Sequence, residues 1–101
     1  MTPLNPPKDC NSMAELRKEI DAIDEALIEL LAVRATYIDR AIDLKRIEGL
    51  PARTVDRVAE VLSNVRKKAA DADFDEDFAE ALWTELIEWS IRREVVHLGG
   101  S

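Results

Sequence analysis

The stretch SMAELRKEIDAIDEALIELLAVRATYIDRAIDLKRIE, residues 12–48, decides the fold. Apolar or aromatic side chains recur along it in alternating steps of four and three residues, interrupted once by an arginine: Leu16, Ile20, Ile23, Leu27, Leu30, Arg34, Tyr37, Ala41 and Leu44. The steps average about 3.5 residues, the period of a helix that packs along a partner. Such a helix spans roughly 55 Å, about twice the width of a compact domain of this size. We therefore expect a second copy of the protein to cover part of its apolar stripe.

The composition predicts one all-α domain. The 101 residues are near the lower limit for a single hydrophobic core, and 47% hydrophobic against 35% charged residues is typical of a globular chain. There are three glycines and four prolines, and no stretch shows the alternation of a β-strand. We expect residues 1–101 to form one helical domain, with residues 1–11 as an extended N-terminal arm.

The charge and the N-terminal sequence narrow the possible partners and the location. A net charge of −7 argues against binding to nucleic acid or to an anionic membrane, because both require a basic surface. The single cysteine, Cys10, cannot form an internal disulfide. Neither a secretion signal nor an apolar run of ~20 residues is present, so the sequence predicts a cytoplasmic protein.

Capping residues and helix breakers divide the chain into three helices. Ser12 and Glu15 form a capping box at the start of the first helix, and Gly49 predicts its end near residue 48. A second amphipathic stretch predicts a helix that begins at Pro51 or Ala52 and reaches about residue 69. Asp75 is a suitable N-cap for a third helix, which we expect to end at about residue 98.

Three basic residues of the first helix point to a site for an anion. Arg34 interrupts the apolar stripe, and a buried cation is unfavourable by several kcal/mol unless it is paired. Lys45 lies on the same face of the helix, ~16 Å further along its axis. Arg17 is ~25 Å from Arg34 and about 100° round the helix, so it approaches Arg34 only from the other chain of an antiparallel dimer. Either an interhelical salt bridge or an anionic ligand would balance these cations.

Two polar residues of the third helix also occupy its apolar face. Ser90 and Glu94 are four residues apart and continue a stripe of apolar side chains. A serine is easily tolerated there, whereas burial of a glutamate favours its neutral acid, which can donate a hydrogen bond. The alternative is an exposed Glu94 at the edge of the stripe, paired with Arg93.

These residues together carry a resemblance that covers about residues 13–96. The chain resembles the all-helical chorismate mutases, within the branch that includes isochorismate-pyruvate lyase. The resemblance rests on the spacing of Arg17, Arg34 and Lys45 and on these segments: LRKEIDAID (residues 16–24), LLAVR (30–34), LK (44–45), PAR (51–53), DRV (56–58) and IEWS (87–90).

The resemblance implies a homodimer of three-helix chains that converts chorismate, a dicarboxylate, to prephenate without a metal or a cofactor. It implies that Arg34 and the partner subunit's Arg17 bind the two carboxylates of the substrate. Lys45 is then expected to contact a carboxylate and the ether oxygen at which negative charge develops, and Arg57 and Ser90 to complete the pocket. Planar guanidinium groups suit carboxylates, and a fixed charge at a developing anion lowers the barrier.

Two departures from the family pattern leave the substrate open. Many members carry glutamine where this chain has Glu94, so we expect Glu94 to act as a neutral acid beside the ether oxygen. The family often has a glutamate where this chain has Val58, and an aspartate where it has Thr54. Cleavage of isochorismate, or a mutase reaction on an amino analogue of chorismate, therefore remains an alternative. The non-enzymatic alternative is a helical dimerisation module in which the same cations form salt bridges.

Overall fold

A computed structural model of the protein describes residues 4–99. In this range the chain forms three α-helices, α1 (Met13–Glu48), α2 (Val55–Asp71) and α3 (Glu76–Leu98), preceded by a short 3-10 turn at Pro7–Asp9 and without a β-strand. The prediction of an all-α fold is confirmed. None of the helices within residues 4–99 combines the length and the apolar character that crossing a membrane requires.

The ends of α1 and α3 follow the capping residues. The backbone N–H of Glu15 donates to Ser12 Oγ (3.2 Å), and Glu15 Oε2 in turn accepts the backbone N–H of Asn11 (2.8 Å), so α1 begins with a variant of the capping box in which Asn11 replaces Ser12 as the backbone donor. The helix ends before Gly49, whose φ of +69° is the left-handed conformation that glycine adopts most readily. At the start of α3, Asp75 Oδ1 accepts the N–H of Phe78 (2.9 Å). The predicted bounds of both helices are confirmed.

The start of α2 differs from the prediction. The sequence predicted a helix from Pro51 or Ala52, but α2 begins at Val55, and residues 50–54 form a loop. Ala52 is 2% exposed in this loop because it packs into the core, which holds the backbone away from a helical path. A tertiary contact therefore overrides the local preference for helix.

The N-terminal arm is also more structured than predicted. Residues 1–3 lie outside the described residues, and a 3-10 turn at Pro7–Asp9 interrupts the stretch that the sequence predicted to be extended. The backbone N–H of Asn5 donates to Glu19 Oε2 (3.1 Å), so the arm folds back onto the first turns of α1. Burial and the nearby carboxylates of Glu19 and Glu15 raise the pKa of the Cys10 thiol.

The chain divides into two compact units after Thr36. The first contains the N-terminal arm and most of α1. Many apolar side chains of its helix are exposed, at fractions between 38% and 66%: Met13, Ile20, Ile23, Leu27, Ile28, Leu30, Leu31 and Val33. A stripe of this length is not left in water by an ordinary monomeric protein.

The second unit contains the end of α1 together with α2 and α3. Ala52, Ile87 and Ile91 form its buried core, against which pack Val58, Val61, Leu62, Val95 and Leu98. Ion pairs at its edges join the helices. On α3, Arg93 binds Asp39 of α1 through Nε and Nη2 (2.6 and 3.0 Å). The far end of α2 is joined to α3 by Arg66, which contacts Asp77 and Glu80.

Candidate active site

Two polar side chains of α3 are buried in the second unit. Ser90 and Glu94 are each only 4% exposed, which confirms that they lie on the buried face of the helix. Ser90 Oγ donates to the carbonyl of Leu86 one turn earlier (2.9 Å). The alternative of an exposed Glu94 paired with Arg93 is wrong, because Arg93 points to Asp39 instead.

Glu94 pairs with Lys45, one of two basic residues in the last turn of α1. Lys45 Nζ lies 2.6 Å from Glu94 Oε1, and the two side chains are 17% and 5% exposed. The direction of this contact is not that of a hydrogen bond, and Glu94 Oε1 is buried without a hydrogen-bond partner among the described residues. The Lys45 ammonium thus balances the charge of this buried oxygen, and a buried carboxylate whose hydrogen bonding is incomplete is unfavourable unless another interaction compensates for it.

The loop that follows α1 binds both the side-chain ammonium group and the backbone carbonyl of Lys45. Its ammonium group donates to the carbonyl of Ala52 (2.7 Å), and its own carbonyl accepts the N–H of Leu50 (2.8 Å). The N–H of Gly49 contacts the carbonyl of Arg46 (3.4 Å), which completes a Schellman motif. The position of the lysine charge is therefore coupled to the conformation of this loop.

A second ion pair fastens the same loop to α3. Arg53 donates through both terminal nitrogens to the two carboxylate oxygens of Glu88, at 2.9 and 2.7 Å. The Arg53 guanidinium lowers the pKa of Glu88, and the Glu88 carboxylate raises the pKa of Arg53. Sequence analysis missed this pair, because residues so far apart in the chain give no local signal of their contact.

The other predicted site residues lie at the surface or in the first unit. Arg57, in the first turn of α2, is 64% exposed and paired with Glu60. Arg17 and Arg34 lie on the part of α1 that belongs to the first unit. Arg17 is exposed there, and Arg34 is half-buried. Lys45, Ser90 and Glu94 are thus the predicted site residues that the second unit brings together.

The chemistry of this cluster is that of a fixed positive charge in a largely buried position. An ammonium group held by a carbonyl and a carboxylate can interact with an anion if Glu94 is neutral or is displaced from the lysine. Among residues 4–99, no three acidic, histidine or cysteine side chains lie together as metal ligands do.

Comparison with known proteins identifies the family. The model of chorismate mutase type II matches residues 16–95, which is most of the chain. The matched range includes all the predicted site residues, from Arg17 to Glu94.

Three curated relatives are similar over most of this chain. The isochorismate pyruvate lyase of Pseudomonas aeruginosa is 32% identical over 88% of this chain and 87% of its own length. The chorismate mutase of Methanocaldococcus jannaschii is 29% identical over 75% of this chain and 77% of its own. The 4-amino-4-deoxychorismate mutase of Streptomyces pristinaespiralis is 32% identical over 78% and 61%. With its three helices and its match over residues 16–95, the chain belongs to the type II chorismate mutase family.

Proposed function

We propose that this protein is a chorismate mutase that converts chorismate to prephenate in a site shared between two copies of the chain. The observation that carries the proposal is the buried cluster of Lys45, Glu94 and Ser90. A buried lysine–glutamate pair adds little to stability, so its presence is better explained by a ligand.

The reaction is a unimolecular rearrangement in which the ether C–O bond breaks as a new C–C bond forms. No group enters or leaves, so the protein needs only to hold the compact conformer and to stabilise the charge that develops on the ether oxygen. The ammonium of Lys45 supplies the positive charge that stabilises the developing negative charge on the ether oxygen. Its position is fixed beforehand by the carbonyl of Ala52, so little reorganisation accompanies the chemical step.

Arginines bind the two carboxylates of the substrate. Arg34 takes one from the same chain as Lys45, and the partner subunit's Arg17 takes the other. Forked hydrogen bonds from planar guanidinium groups hold a carboxylate in one orientation, which a lysine cannot do. Arg57, which is 64% exposed and paired with Glu60, is proposed to exchange this partner for the substrate.

A homodimer is part of the proposal because the exposed stripe of α1 needs a cover. Leu27 and Leu30 are 53% and 65% exposed, and Tyr37 is 70% exposed. Burial of apolar surface contributes about 25 cal/mol per Å², so pairing of two such stripes is strongly favourable. A second copy carries the same stripe, and antiparallel pairing brings Arg17 of the partner subunit toward Arg34.

Glu94 acts as a neutral acid in the complex with substrate. An ionised carboxylate beside an ether oxygen that gains negative charge would repel it, whereas the neutral acid donates a hydrogen bond. Lys45, freed from its ion pair, then faces the substrate.

Isochorismate cleavage to salicylate and pyruvate is the second candidate. It is favoured by Val58, which replaces a glutamate that many mutases of the family carry, and by the similarity to the P. aeruginosa lyase over 88% of the chain. The same position and the S. pristinaespiralis relative favour an amino analogue of chorismate as a further substrate. In all three readings the protein is cytoplasmic, and the mutase reaction serves aromatic amino acid biosynthesis.

The products distinguish these candidates. Purified protein is incubated separately with chorismate, isochorismate and 4-amino-4-deoxychorismate, and prephenate, salicylate, pyruvate and the rearranged amino product are quantified. We expect prephenate from chorismate at a much higher kcat/KM than any other conversion. If no substrate is converted, and chorismate does not raise the unfolding temperature, the protein is a helical dimerisation module instead.

A further inference from the structure

The loop between α1 and α2 joins two of the basic residues of the proposed site. Lys45 lies four residues before Gly49, where α1 ends, and Arg57 lies in the first turn of α2. A shift of residues 49–54 therefore moves both charges. The contacts that hold this loop in place therefore also help to hold the basic groups of Lys45 and Arg57 in place.

Three connections hold the loop within the second unit. The first is the Schellman motif, in which the N–H of Leu50 donates to the carbonyl of Lys45 (2.8 Å). The second is the bond from Lys45 Nζ to the carbonyl of Ala52 (2.7 Å), a residue that is 2% exposed in the core. The third is the fork between Arg53 and Glu88. This last connection ties the polar side of the loop to α3, the helix that carries Glu94.

The fork is suited to orient the loop rather than to stabilise the fold. Its two side chains are 35% and 36% exposed, and ion pairs at such exposure contribute little to the free energy of unfolding. Two parallel hydrogen bonds nevertheless restrict the direction of the guanidinium plane, and with it the backbone of Arg53. Because Ala52 is the adjacent residue, that restriction extends to the carbonyl that binds Lys45.

We propose that Arg53 and Glu88 are positioning residues of the active site, which hold the 49–54 loop so that the carbonyl of Ala52 keeps the Lys45 ammonium in place for the substrate. This inference rests on the proposed function for its consequence in catalysis. Neither residue touches the substrate. They act through Ala52 on Lys45 and through the start of α2 on Arg57.

The test compares Arg53→Ala and Glu88→Ala with a matched control, Arg66→Ala. Arg66 also joins α2 to α3 through carboxylates, is similarly exposed at 37%, and lies at the other end of α2 from the loop. We expect kcat for chorismate to fall about tenfold in Arg53→Ala and in Glu88→Ala, with a smaller change in KM, because misplacement of one catalytic charge affects mainly the transition state. The Arg66→Ala variant should keep its kcat, even where its unfolding temperature falls equally.

The reversed pair Arg53→Glu/Glu88→Arg provides the rescue. It restores the ion pair between the same positions, so we expect kcat above that of either alanine variant. The conservative Arg53→Lys variant should remain impaired, since an ammonium group cannot form the fork. Arg53→Ala with unchanged kcat, or with no more loss than Arg66→Ala, would overturn the proposal.

Amide hydrogen exchange separates this proposal from the proposed function. The Leu50 amide is bonded to the carbonyl of Lys45, so its exchange should accelerate in Arg53→Ala, while core amides of α2 and α3 keep their rates. If the wild-type protein converts no substrate, the proposed function fails, and Leu50 exchange still decides whether the pair holds the loop. Equal acceleration of exchange throughout the second unit would show ordinary destabilisation and would refute the positioning role of Arg53 and Glu88.

Discussion

The charged atoms of Lys45 and Glu94 are 2.6 Å apart although one lies at the end of α1 and the other in the last turns of α3. Both side chains are mostly withdrawn from water. Pairs of this kind are often no more stabilising than apolar residues of the same size, but loss of one partner leaves an unbalanced charge in the interior. We therefore predict different effects on stability and on activity when one or both residues of the pair are replaced.

Replacement of Lys45 by methionine removes the charge and keeps much of the side-chain volume. We expect a loss of about 3–5 kcal/mol in the free energy of unfolding at neutral pH, because Glu94 is left without its ion pair. Denaturant unfolding measures this loss. The double variant Lys45→Met/Glu94→Gln should recover most of the stability, yet kcat should stay lower by about 10²-fold or more. Recovery of activity in the double variant would contradict the role of Lys45.

Glu94→Gln tests whether a neutral donor at this position serves catalysis. Glutamine places an amide N–H where the neutral acid is proposed to donate to the ether oxygen, so we expect its kcat/KM for chorismate to equal or exceed that of the wild type. Glu94→Ala removes the donor and should lower kcat/KM by about 10²-fold. Equal losses in the two variants would refute the neutral-acid role.

Mixed dimers test whether each site uses both chains. An Arg17→Ala chain and a Lys45→Ala chain are each expected to be inactive alone. Random pairing of the two should restore activity in about a quarter of the sites, because one site of each mixed dimer then has both residues. As a control, Lys45→Ala mixed with Glu94→Ala should remain inactive, since both residues belong to the same chain's half of the site. Steady-state rates after unfolding and refolding the mixtures measure this.

Acid should destabilise the protein through two carboxylates. The guanidinium of Arg93 lowers the pKa of Asp39, and that of Arg53 lowers the pKa of Glu88. For a pKa that is lower in the folded than in the unfolded state, the stabilisation is complete above the unfolded value, here ~4, and is lost as the pH falls through the folded value. We expect the unfolding temperature to fall below about pH 4, and less steeply in Asp39→Asn, which has no carboxylate to protonate.

Gly49→Ala tests the turn that follows Lys45. A Cβ at this position would meet no atom within 4 Å, so the effect comes from the positive φ of +69° alone. A left-handed conformation is unfavourable for alanine by about 1 kcal/mol, and we expect the free energy of unfolding to fall by that amount. Gly49→Asn should lose less, because asparagine tolerates this conformation better.

The helix ends show which parts of the fold can be predicted from residues close together in the sequence. Ser12 and Glu15, Gly49 and Asp75 act through neighbours within a few residues, so α1 and α3 begin and end where the sequence predicts. Residues 51–54 favoured helix by the same rules, and there burial of Ala52 in a core built from α3 decides otherwise. The sequence pattern also placed Ser90 and Glu94 on the buried face, since periodicity reports which face of a helix is apolar.

By itself, then, the sequence determined the all-α class, most helix boundaries and the polar residues on apolar faces, because each depends on spacing along one segment. The family follows from a similarity that extends over residues 16–95. The tertiary structure alone decided that Glu94 pairs with Lys45 rather than Arg93. It also decided that the carbonyl of Ala52 accepts a hydrogen bond from the lysine and that Arg53 forms an ion pair with Glu88. The two ion pairs join residues distant in the chain, and the carbonyl that binds Lys45, although only seven residues away, belongs to the backbone and is common to every residue type. No pattern of side chains can encode them until packing brings the helices together.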